Sequence, residues 1–349
     1  MPSTLTPEPP AAEPPTAERD RKLEHIRLAL DGHMQLETRF FDAYRFVHQA
    51  LPEIDMAAID LGTHFLGKPV AAPLLVSCMT GGTASATEIN RNLAIAAEEA
   101  GIALGVGSQR KAIEDPSTAP TFRVRDLAPT VPLLANLGAV QLNYGYGLDH
   151  CRQAVEMIEA DALVLHLNPL QEAIQPEGQC DFRGLYDKIG QIAEALEVPV
   201  IVKEVGSGIA LETARALFDR GVRIVDTAGT GGTSWARIEA ARADDYEIGE
   251  MFAGWGIPTP ESIQQLATIE GLYVIGSGGV RTGLDVAKAI ALGAGLAGLA
   301  QPFLAPAMES AERVVARIER TLTELRIAMF CSGAESLEAL KNVQLIYGS

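Results

Sequence analysis

The chain has 349 residues, 47% of them hydrophobic, and its 45 acidic and 28 basic residues give a formal net charge of −17. That length suits either two ordinary domains or one α/β barrel of about 250 residues. The acidic balance argues against a nucleic acid or an anionic membrane as the main partner, so an anionic ligand would need a local cluster of basic side chains.

The sequence also predicts where the protein is found. It has no run of ~18 apolar residues, so we expect no membrane span and no membrane partner. The first residues lack the basic and apolar regions of a signal peptide. The cysteines are too widely spaced for a disulfide framework or a zinc site: Cys78, Cys151, Cys180 and Cys331. We therefore expect a cytoplasmic protein with reduced thiols.

The start of the chain predicts a disordered tail followed by a basic helix. Residues 1–18 contain six prolines and almost no large apolar side chains, so they cannot offset the entropy lost on ordering. We expect residues 19–349 to form one domain, which begins with a short helix over residues 19–35. One face of that helix carries Arg21, Lys22 and His25. This face could bind an anion, or it could be the solvated side of an amphipathic helix.

From residue 70 onward, short apolar runs alternate with amphipathic helical stretches. The eight runs are 73–82, 102–108, 132–138, 162–168, 199–206, 222–229, 272–279 and 294–300. Continuous apolar runs bounded by helices are typical of buried parallel strands. Eight such units predict a TIM (β/α)8 barrel, with an N-terminal helical extension and a small helical addition over residues 331–349. An open Rossmann-like sheet fits less well, because no GxGxxG motif follows the first strand.

A barrel carries its active site at the carboxyl ends of its strands, and here those ends are polar or rich in glycine. The sequence GSGGVR at 276–281 enters a predicted helix, which is a typical phosphate site, although such glycines could also just form a tight turn. A second glycine-rich turn, GTGGTS at 229–234, could contact the same ligand or act as a hinge. Residues 235–255 form a long insertion that suggests a lid.

Two further strand ends carry ionisable side chains. Lys203 could form a Schiff base, stabilise the electron-rich edge of a bound flavin, or pair with Glu204 or another acid. His166 and Asn168 lie on one face of their strand, and Gln171 and Glu172 follow on the next loop. His166 could carry a proton or be a core residue. Glu172, if it is not simply solvated, suits Mg²⁺ held jointly with substrate phosphate oxygens.

Taken together, these motifs resemble the flavin-dependent, type 2 isopentenyl-diphosphate isomerase family over roughly residues 19–347. The resemblance is carried by RKLEH (21–25), GVGSQR (105–110), LHLNPLQE (165–172), PVIVKEVGSGI (199–209), GTGGTSW (229–235) and GSGGVRTGLDVAKAIALGA (276–294). It implies a TIM barrel that uses reduced FMN and Mg²⁺ to interconvert isopentenyl and dimethylallyl diphosphate. It also implies NADPH as the flavin reductant and a tetrameric or octameric homo-oligomer.

The resemblance further implies roles for individual residues. Those that would line the flavin are Cys78, Met79, Thr80, Gly81, Ser108, Asn136, Lys203 and Thr233. Those that would hold the FMN phosphate are Gly278, Gly279, Arg281, Ala300 and Gln301. The substrate would be bound by Arg21, Lys22, His25, Ser108, Gln109, Arg110 and Gln171. Glu172 would bind Mg²⁺, and His166, Gln171 and Trp235 would lie near the reacting carbons. Cys78 replaces a frequent alanine, which should alter packing more than chemistry.

Three alternatives remain open from the sequence. A flavin barrel that oxidises 2-hydroxy acids would need a His–Arg pair near the late strands, but no histidine follows His166. An aldolase could use Lys203 as a Schiff base, and such a protein would be colourless. A non-catalytic flavin-binding module would bind FMN and turn nothing over.

Overall fold

Eight parallel strands close into a barrel in the computed structural model, which describes residues 21–348. Two further pairs of short strands lie outside the barrel, β1 (Tyr44–Phe46) with β12 (Leu345–Tyr347), and β2 (Thr63–Phe65) with β3 (Lys68–Val70). The barrel strands are β4 (Leu74–Val76), β5 (Ala103–Gly105), β6 (Leu133–Gly138), β7 (Ala162–Leu167), β8 (Val200–Glu204), β9 (Ile224–Asp226), β10 (Tyr273–Ser277) and β11 (Leu296–Leu299). Each falls inside one of the eight predicted runs, so the predicted TIM barrel is confirmed.

The helices follow the alternation that the sequence predicts. They are α1 (Arg21–Leu30), α2 (Ala84–Ala100), α3 (Arg110–Glu114), α4 (Leu148–Ile158), α5 (Pro169–Ile174), α6 (Leu185–Ala195), α7 (Leu211–Phe218), α8 (Trp235–Arg242), α9 (Tyr246–Phe252), α10 (Thr259–Leu266), α11 (Gly283–Ala291), α12 (Gln301–Glu309), α13 (Ala311–Ser332) and α14 (Leu337–Lys341). Among residues 21–348, no helix is long and apolar enough to cross a membrane.

A β-hairpin closes the amino-terminal end of the barrel. The side chains of Phe65 and Val70 pack with barrel residues such as Leu75 and Ile275, and the ring of Phe65 lies 5.5 Å from that of Tyr273. The hairpin turns at Leu66 and Gly67, which both have positive φ angles, as a two-residue type I′ turn requires. Apolar side chains fill the amino-terminal end of the barrel, so a ligand would not enter there. The carboxyl ends of the strands, which carry polar groups, form the end that is open to a ligand.

The chain ends differ in detail from the prediction. Helix α1 stops at Leu30 and a 3-10 turn follows at Gly32–Met34, because the Asp31 side chain caps the turn. The predicted tail over residues 1–18 lies outside the described residues. The C-terminal addition is not purely helical: after α14, β12 pairs with β1 in antiparallel register, Tyr44 opposite Tyr347. The prediction missed this pairing because it joins segments about three hundred residues apart.

The predicted insertion over residues 235–255 forms two helices. The first, α8, begins where the Ser234 hydroxyl accepts a hydrogen bond from the Arg237 amide. The second, α9, packs against α8 and is capped in the same way by Asp245. Helix α8 also contacts α1 and α5, so the insertion lies beside the carboxyl ends of the barrel strands.

Candidate functional site

A cavity of about 280 Å³ opens at the carboxyl ends of the barrel strands. Its lining includes most of the residues that the sequence singles out: Lys22, His25, Cys78, Met79, Thr80, Ser108, Arg110, Asn136, His166, Gln171, Glu172, Lys203, Thr233, Trp235, Gly278, Gly279, Arg281, Ala300 and Gln301. These side chains come from α1, from the barrel strands, from the turns after them and from the first turns of the helices that follow. The closed barrel is what brings such distant segments together.

The floor of the cavity carries a buried lysine. Lys203 is the penultimate residue of β8, and its ammonium group donates a hydrogen bond of 2.9 Å to the Glu204 carbonyl. Its ion-pair partner is Asp226 at 3.4 Å, and not the Glu204 carboxylate, which accepts hydrogen bonds from the backbone of the next turn. Burial raises the pKa of the neighbouring Cys78 thiol to about 12, so that group is neutral at physiological pH.

Two glycine-rich turns pack against each other at one side of the cavity. Gly278 and Gly279 have positive φ angles, and a side chain on either would collide with the backbone of residues 229–231. Within residues 21–348, nothing accepts a hydrogen bond from the backbone N–H of Gly279 or Val280. Arg281 lines the cavity beside them and donates hydrogen bonds to two backbone carbonyls, at Gly279 and Leu36. This side of the cavity is therefore suited to an anion.

The helix that offers a free N-terminus here is α12. Helix α11 follows the GSGGVR turn, but Thr282 and Asp285 form a capping box at its start, and Asp285 also accepts from the Arg281 amide. No side chain caps α12, whose first residues, Gln301 and Pro302, line the cavity with Ala300. The backbone amides that could meet an anion thus lie on the 278–280 turn and at the start of α12, the two segments that the sequence analysis names for a phosphate.

The opposite wall is formed by α5 and the strand before it. The Glu172 carboxylate is buried and accepts hydrogen bonds from Asn168 at 2.9 Å, Gln175 at 2.5 Å and the Gln179 backbone at 2.6 Å. The Asn168 side-chain oxygen is also buried at the cavity wall and has no hydrogen-bond partner among the described residues. Two hard oxygen groups therefore meet at this point.

A buried carboxylate, Glu239 on α8, joins three elements at the cavity mouth. It accepts hydrogen bonds from Gln171 at 2.7 Å and Arg242 at 2.5 Å. His25 Nε2 lies 2.9 Å from the same carboxylate, within ion-pair distance, although its ring N–H does not point along the hydrogen-bond direction. Burial alone would raise the pKa of Glu239, but His25, Gln171 and Arg242 outweigh it and bring that pKa below its usual value.

The basic face of α1 contributes to the mouth as predicted. The Lys22 ammonium group donates to the Ser108 carbonyl at 3.0 Å and lies 5.1 Å above the Phe122 ring. The His25 ring meets the Trp235 ring edge to face at 5.2 Å. Arg110 reaches the same space and binds Glu114 at 2.7 Å. The side chain of Arg21, predicted for the same role, lies outside the described part of the structure.

Two predicted residues do not line the cavity. Gln109 is fully buried, with its amide nitrogen bonded to the Ala154 carbonyl at 2.8 Å and its amide oxygen to the Asn136 amide at 3.0 Å. This side chain supports the strand that carries Asn136 and does not face a ligand. Gly81 packs directly on the Phe122 ring, where any side chain would collide.

The chain resembles known proteins over most of its length. The sequence profile of the FMN-dependent dehydrogenase family matches residues 31–124 and 171–346. A Synechococcus sp. protein named isopentenyl-diphosphate delta-isomerase is 53% identical over 92% of this chain and 94% of its own length. A Nostoc sp. protein of the same name is 50% identical over 96% of this chain and 97% of its own. The chain belongs to the isopentenyl-diphosphate delta-isomerase family.

Solved structures of other proteins share the fold of this isomerase. A mandelate oxidase mutant with a monooxide FMN adduct is 19% identical, with a TM-score of 0.64 over 93% of this chain and 92% of its own. Another mandelate oxidase variant is 20% identical, with a TM-score of 0.67 over 95% of this chain and 100% of its own. At these identities the likeness shows a shared fold.

The residues of the isomerase cavity fit FMN. The unpartnered amides of Gly279 and Val280, the open start of α12 and Arg281 suit its phosphate. Lys203 provides a cation at the floor, and the buried Ser77 hydroxyl nearby has no hydrogen-bond partner among the described residues. A buried polar atom without a partner is costly, and a bound polar ligand removes that cost.

Several residues that contribute to the site are not identified by the sequence analysis. Glu239 lies within a helix whose charges look like a solvated face, and only the packing of α8 shows that it is buried. Gln35 donates a hydrogen bond of 2.8 Å to the Thr233 hydroxyl from the segment after α1. Gln179 accepts from Arg110 at 3.3 Å and donates its amide to Glu172. Each acts through a contact between distant segments.

We predict that His166 stays neutral from about pH 8 to about pH 5. Burial, with the charges of Lys203 and Lys22, lowers its pKa to about 4. The unfolded chain takes up this proton near pH 6.5, so the stability contribution is complete above that pH and is lost as the pH falls towards 4. NMR of the His166 ring, assigned with His166→Gln, should show no titration in this range. A full titration near pH 6.5, as in the urea-unfolded chain, would contradict the prediction.

Proposed function

We propose that this chain isomerises isopentenyl diphosphate to dimethylallyl diphosphate, using reduced FMN and Mg²⁺. The observation that carries the proposal is that two separate groups of basic side chains and backbone amides line one cavity, and each would suit an anion. One consists of the 278–280 turn, Arg281 and the start of α12, and the other consists of Lys22, His25 and Arg110 at the mouth. A flavin phosphate and a substrate diphosphate would occupy these two sites, as the names of its relatives in Synechococcus and Nostoc suggest.

The basic side chains at the mouth would hold the substrate diphosphate in a protein of net charge −17. Lys22 and His25 come from one face of α1, and Arg110 comes from the start of α3. Binding the diphosphate through these groups positions the hydrocarbon end deeper in the cavity, so that remote binding energy orients the reacting alkene.

Glu172 would hold Mg²⁺ together with the diphosphate. The described residues contain no group of three or more His, Cys, Asp or Glu side chains that could hold a metal ion by themselves. Mg²⁺ commonly binds through one or two carboxylates, with substrate phosphate oxygens and waters completing its shell. The Glu172 carboxylate and the unpartnered Asn168 oxygen beside it supply ligands of the required kind.

The reaction moves a double bond by one carbon, with a proton added at one carbon and removed from another, and has no net redox change. Reduced FMN, when bound, supplies an electron-rich ring that can exchange a proton with an alkene. His166 is held through its Nδ1 by the Asn136 side chain at 2.8 Å, and its low pKa keeps it uncharged. It would therefore position the substrate or relay a proton as a neutral ring. Gln171, fixed by Glu239, would do the same from the opposite wall.

Apolar and aromatic side chains of the cavity would keep water from the reacting carbons. The His25 and Trp235 rings pack edge to face over the cavity, and Met79 adds an apolar side chain to the lining. A carbocation-like transition state is short-lived in water, so a dry and aromatic wall favours isomerisation over hydration.

We further propose that NADPH supplies the electrons for FMN, and that the enzyme is a cytoplasmic homo-oligomer of four or eight chains. These assignments rest on the family resemblance. Anaerobic reduction of the bound FMN by NADPH, and the mass of the holoenzyme in solution, would test them.

A direct activity assay tests the proposed function. Purified holoenzyme with FMN, NADPH, Mg²⁺ and isopentenyl diphosphate under anaerobic conditions should give dimethylallyl diphosphate. A parallel assay with 2-hydroxy acids and oxygen should give no hydrogen peroxide, because no histidine follows His166 near Arg281. Peroxide without isomer would favour an oxidase, and a colourless protein that borohydride traps on Lys203 would favour an aldolase.

The two anion sites should be separable by mutation. We predict that Lys22→Ala raises the KM for isopentenyl diphosphate about tenfold, while the Kd for FMN changes less than twofold. Arg281→Ala should weaken FMN binding about tenfold, with a smaller effect on that KM at saturating FMN. Each loss corresponds to about 1.4 kcal/mol, typical of one hydrogen bond to a charged group. The assignment is wrong if both variants lose affinity for the same ligand.

We predict that Glu172→Gln raises the Mg²⁺ concentration for half-maximal activity at least tenfold, because an amide oxygen is a weaker ligand than a carboxylate. The Kd for FMN should stay within twofold of the wild-type value, since FMN would bind at the other wall. Glu212→Gln, an exposed change on α7, is the matched control and should alter neither value. Loss of FMN binding in Glu172→Gln would refute the assigned role.

A further inference from the structure

A buried carboxylate lies beneath the floor of the cavity without lining it. Asp226 is the last residue of β9, and its side chain is 2% exposed. It is not among the residues that line the cavity, so any effect on a ligand must pass through its neighbours. Burying a charge without partners would cost several kcal/mol. The contacts of Asp226 therefore show which groups its carboxylate stabilises.

Asp226 binds one group from each neighbouring strand, and both neighbours line the cavity. One carboxylate oxygen lies 3.4 Å from the Lys203 ammonium on β8, the residue directly opposite in register. The other accepts a hydrogen bond of 2.5 Å from the Ser277 hydroxyl on β10. Asp226 therefore fixes the positions of the cation and the hydroxyl that form the floor.

Asp226 also offsets the charge of Lys203. The Glu204 carboxylate accepts hydrogen bonds from three backbone amides of the turn that follows it. Lys203 contacts Glu204 only at its backbone carbonyl. The thiol of Cys78 and the ring of His166, which also face this region, are uncharged at neutral pH because burial shifts their pKa values to about 12 and about 4. Among the described residues, the charges of Lys203 and Asp226 thus offset each other at the floor, while the Glu204 carboxyl, whose pKa burial raises to about 7, is bonded to the backbone of its own turn.

This balance matters for a flavin, because reduced FMN carries more negative charge than oxidised FMN. A bare lysine under the ring would favour the reduced form, and a nearby carboxylate would oppose that preference. We propose that Asp226 is a positioning residue that holds Lys203 and Ser277 at the cavity floor and, by offsetting the lysine charge, sets how strongly the site favours reduced over oxidised FMN. The inference rests on the FMN binding proposed above.

The test compares Asp226→Asn with Ser277→Ala. Asp226→Asn removes the charge but keeps an amide oxygen that can accept from the Ser277 hydroxyl, whereas Ser277→Ala removes that hydrogen bond and keeps the charge. For each protein the Kd values of oxidised and of chemically reduced FMN are measured anaerobically, together with the reduction potential of bound FMN. Asp226→Asn should shift the ratio of the two Kd values at least tenfold in favour of reduced FMN, about 30 mV for a two-electron couple. Ser277→Ala should shift it less than threefold.

A second pair of variants covers the case in which Asp226→Asn leaves a buried lysine unpaired and does not fold. Lys203→Gln is compared with Lys203→Gln/Asp226→Asn, which replaces the ion pair by two neutral amides. The double variant should again favour reduced FMN at least tenfold more than Lys203→Gln alone.

The outcomes separate the two proposals. If wild-type protein binds FMN and both comparisons leave the Kd ratio within threefold, or if Ser277→Ala shifts it as much as Asp226→Asn, the role of Asp226 is refuted and the proposed function stands. If wild-type protein binds neither form of FMN, the proposed function itself fails.

Discussion

The mouth of this barrel depends on one buried carboxylate. Glu239 is fully buried, so its charge must be satisfied by partners, and they come from three different helices: His25 from α1, Gln171 from α5 and Arg242 from α8 itself. Removing one partner from such a cluster is expensive because the remaining charge stays buried. The position of α1 is therefore coupled to that of Gln171, because both contact the same carboxylate.

The distribution of charge follows from the same constraint. The protein is strongly acidic, yet Lys22, Arg110, Lys203 and Arg281 all line one cavity. Each is held by named neighbours: a carbonyl for Lys22, Glu114 for Arg110, Asp226 for Lys203 and two carbonyls for Arg281. The floor is distinctive because the Lys203 charge is balanced there by a carboxylate that is itself buried.

Sequence reasoning predicted the fold well because buried parallel strands leave a local signal. All eight apolar runs became barrel strands, and the polar residues at their ends line the cavity because closure forces those ends into one ring. It failed where the outcome depends on distant contacts or on side-chain direction. Three features have no local sequence pattern, since each is decided by a partner far along the chain. They are the β1–β12 pairing, the burial of Glu239 and the direction of the Gln109 side chain, which points into the protein and away from the cavity. The capping box of Thr282 and Asp285 has a local sequence pattern, and it occupies the start of α11. The uncapped start of α12, which also lines the cavity, has no such pattern.

In the proposed function, one cavity holds FMN and a diphosphate together and moves a double bond by proton transfer without net redox change. Turnover of isopentenyl diphosphate in D₂O by the anaerobically reduced holoenzyme tests this, with the product analysed by mass and the visible spectrum recorded throughout. We expect dimethylallyl diphosphate that carries solvent deuterium, formed over many turnovers while the reduced flavin spectrum is unchanged at the end. Product without deuterium, or flavin oxidised in proportion to the product, would contradict it.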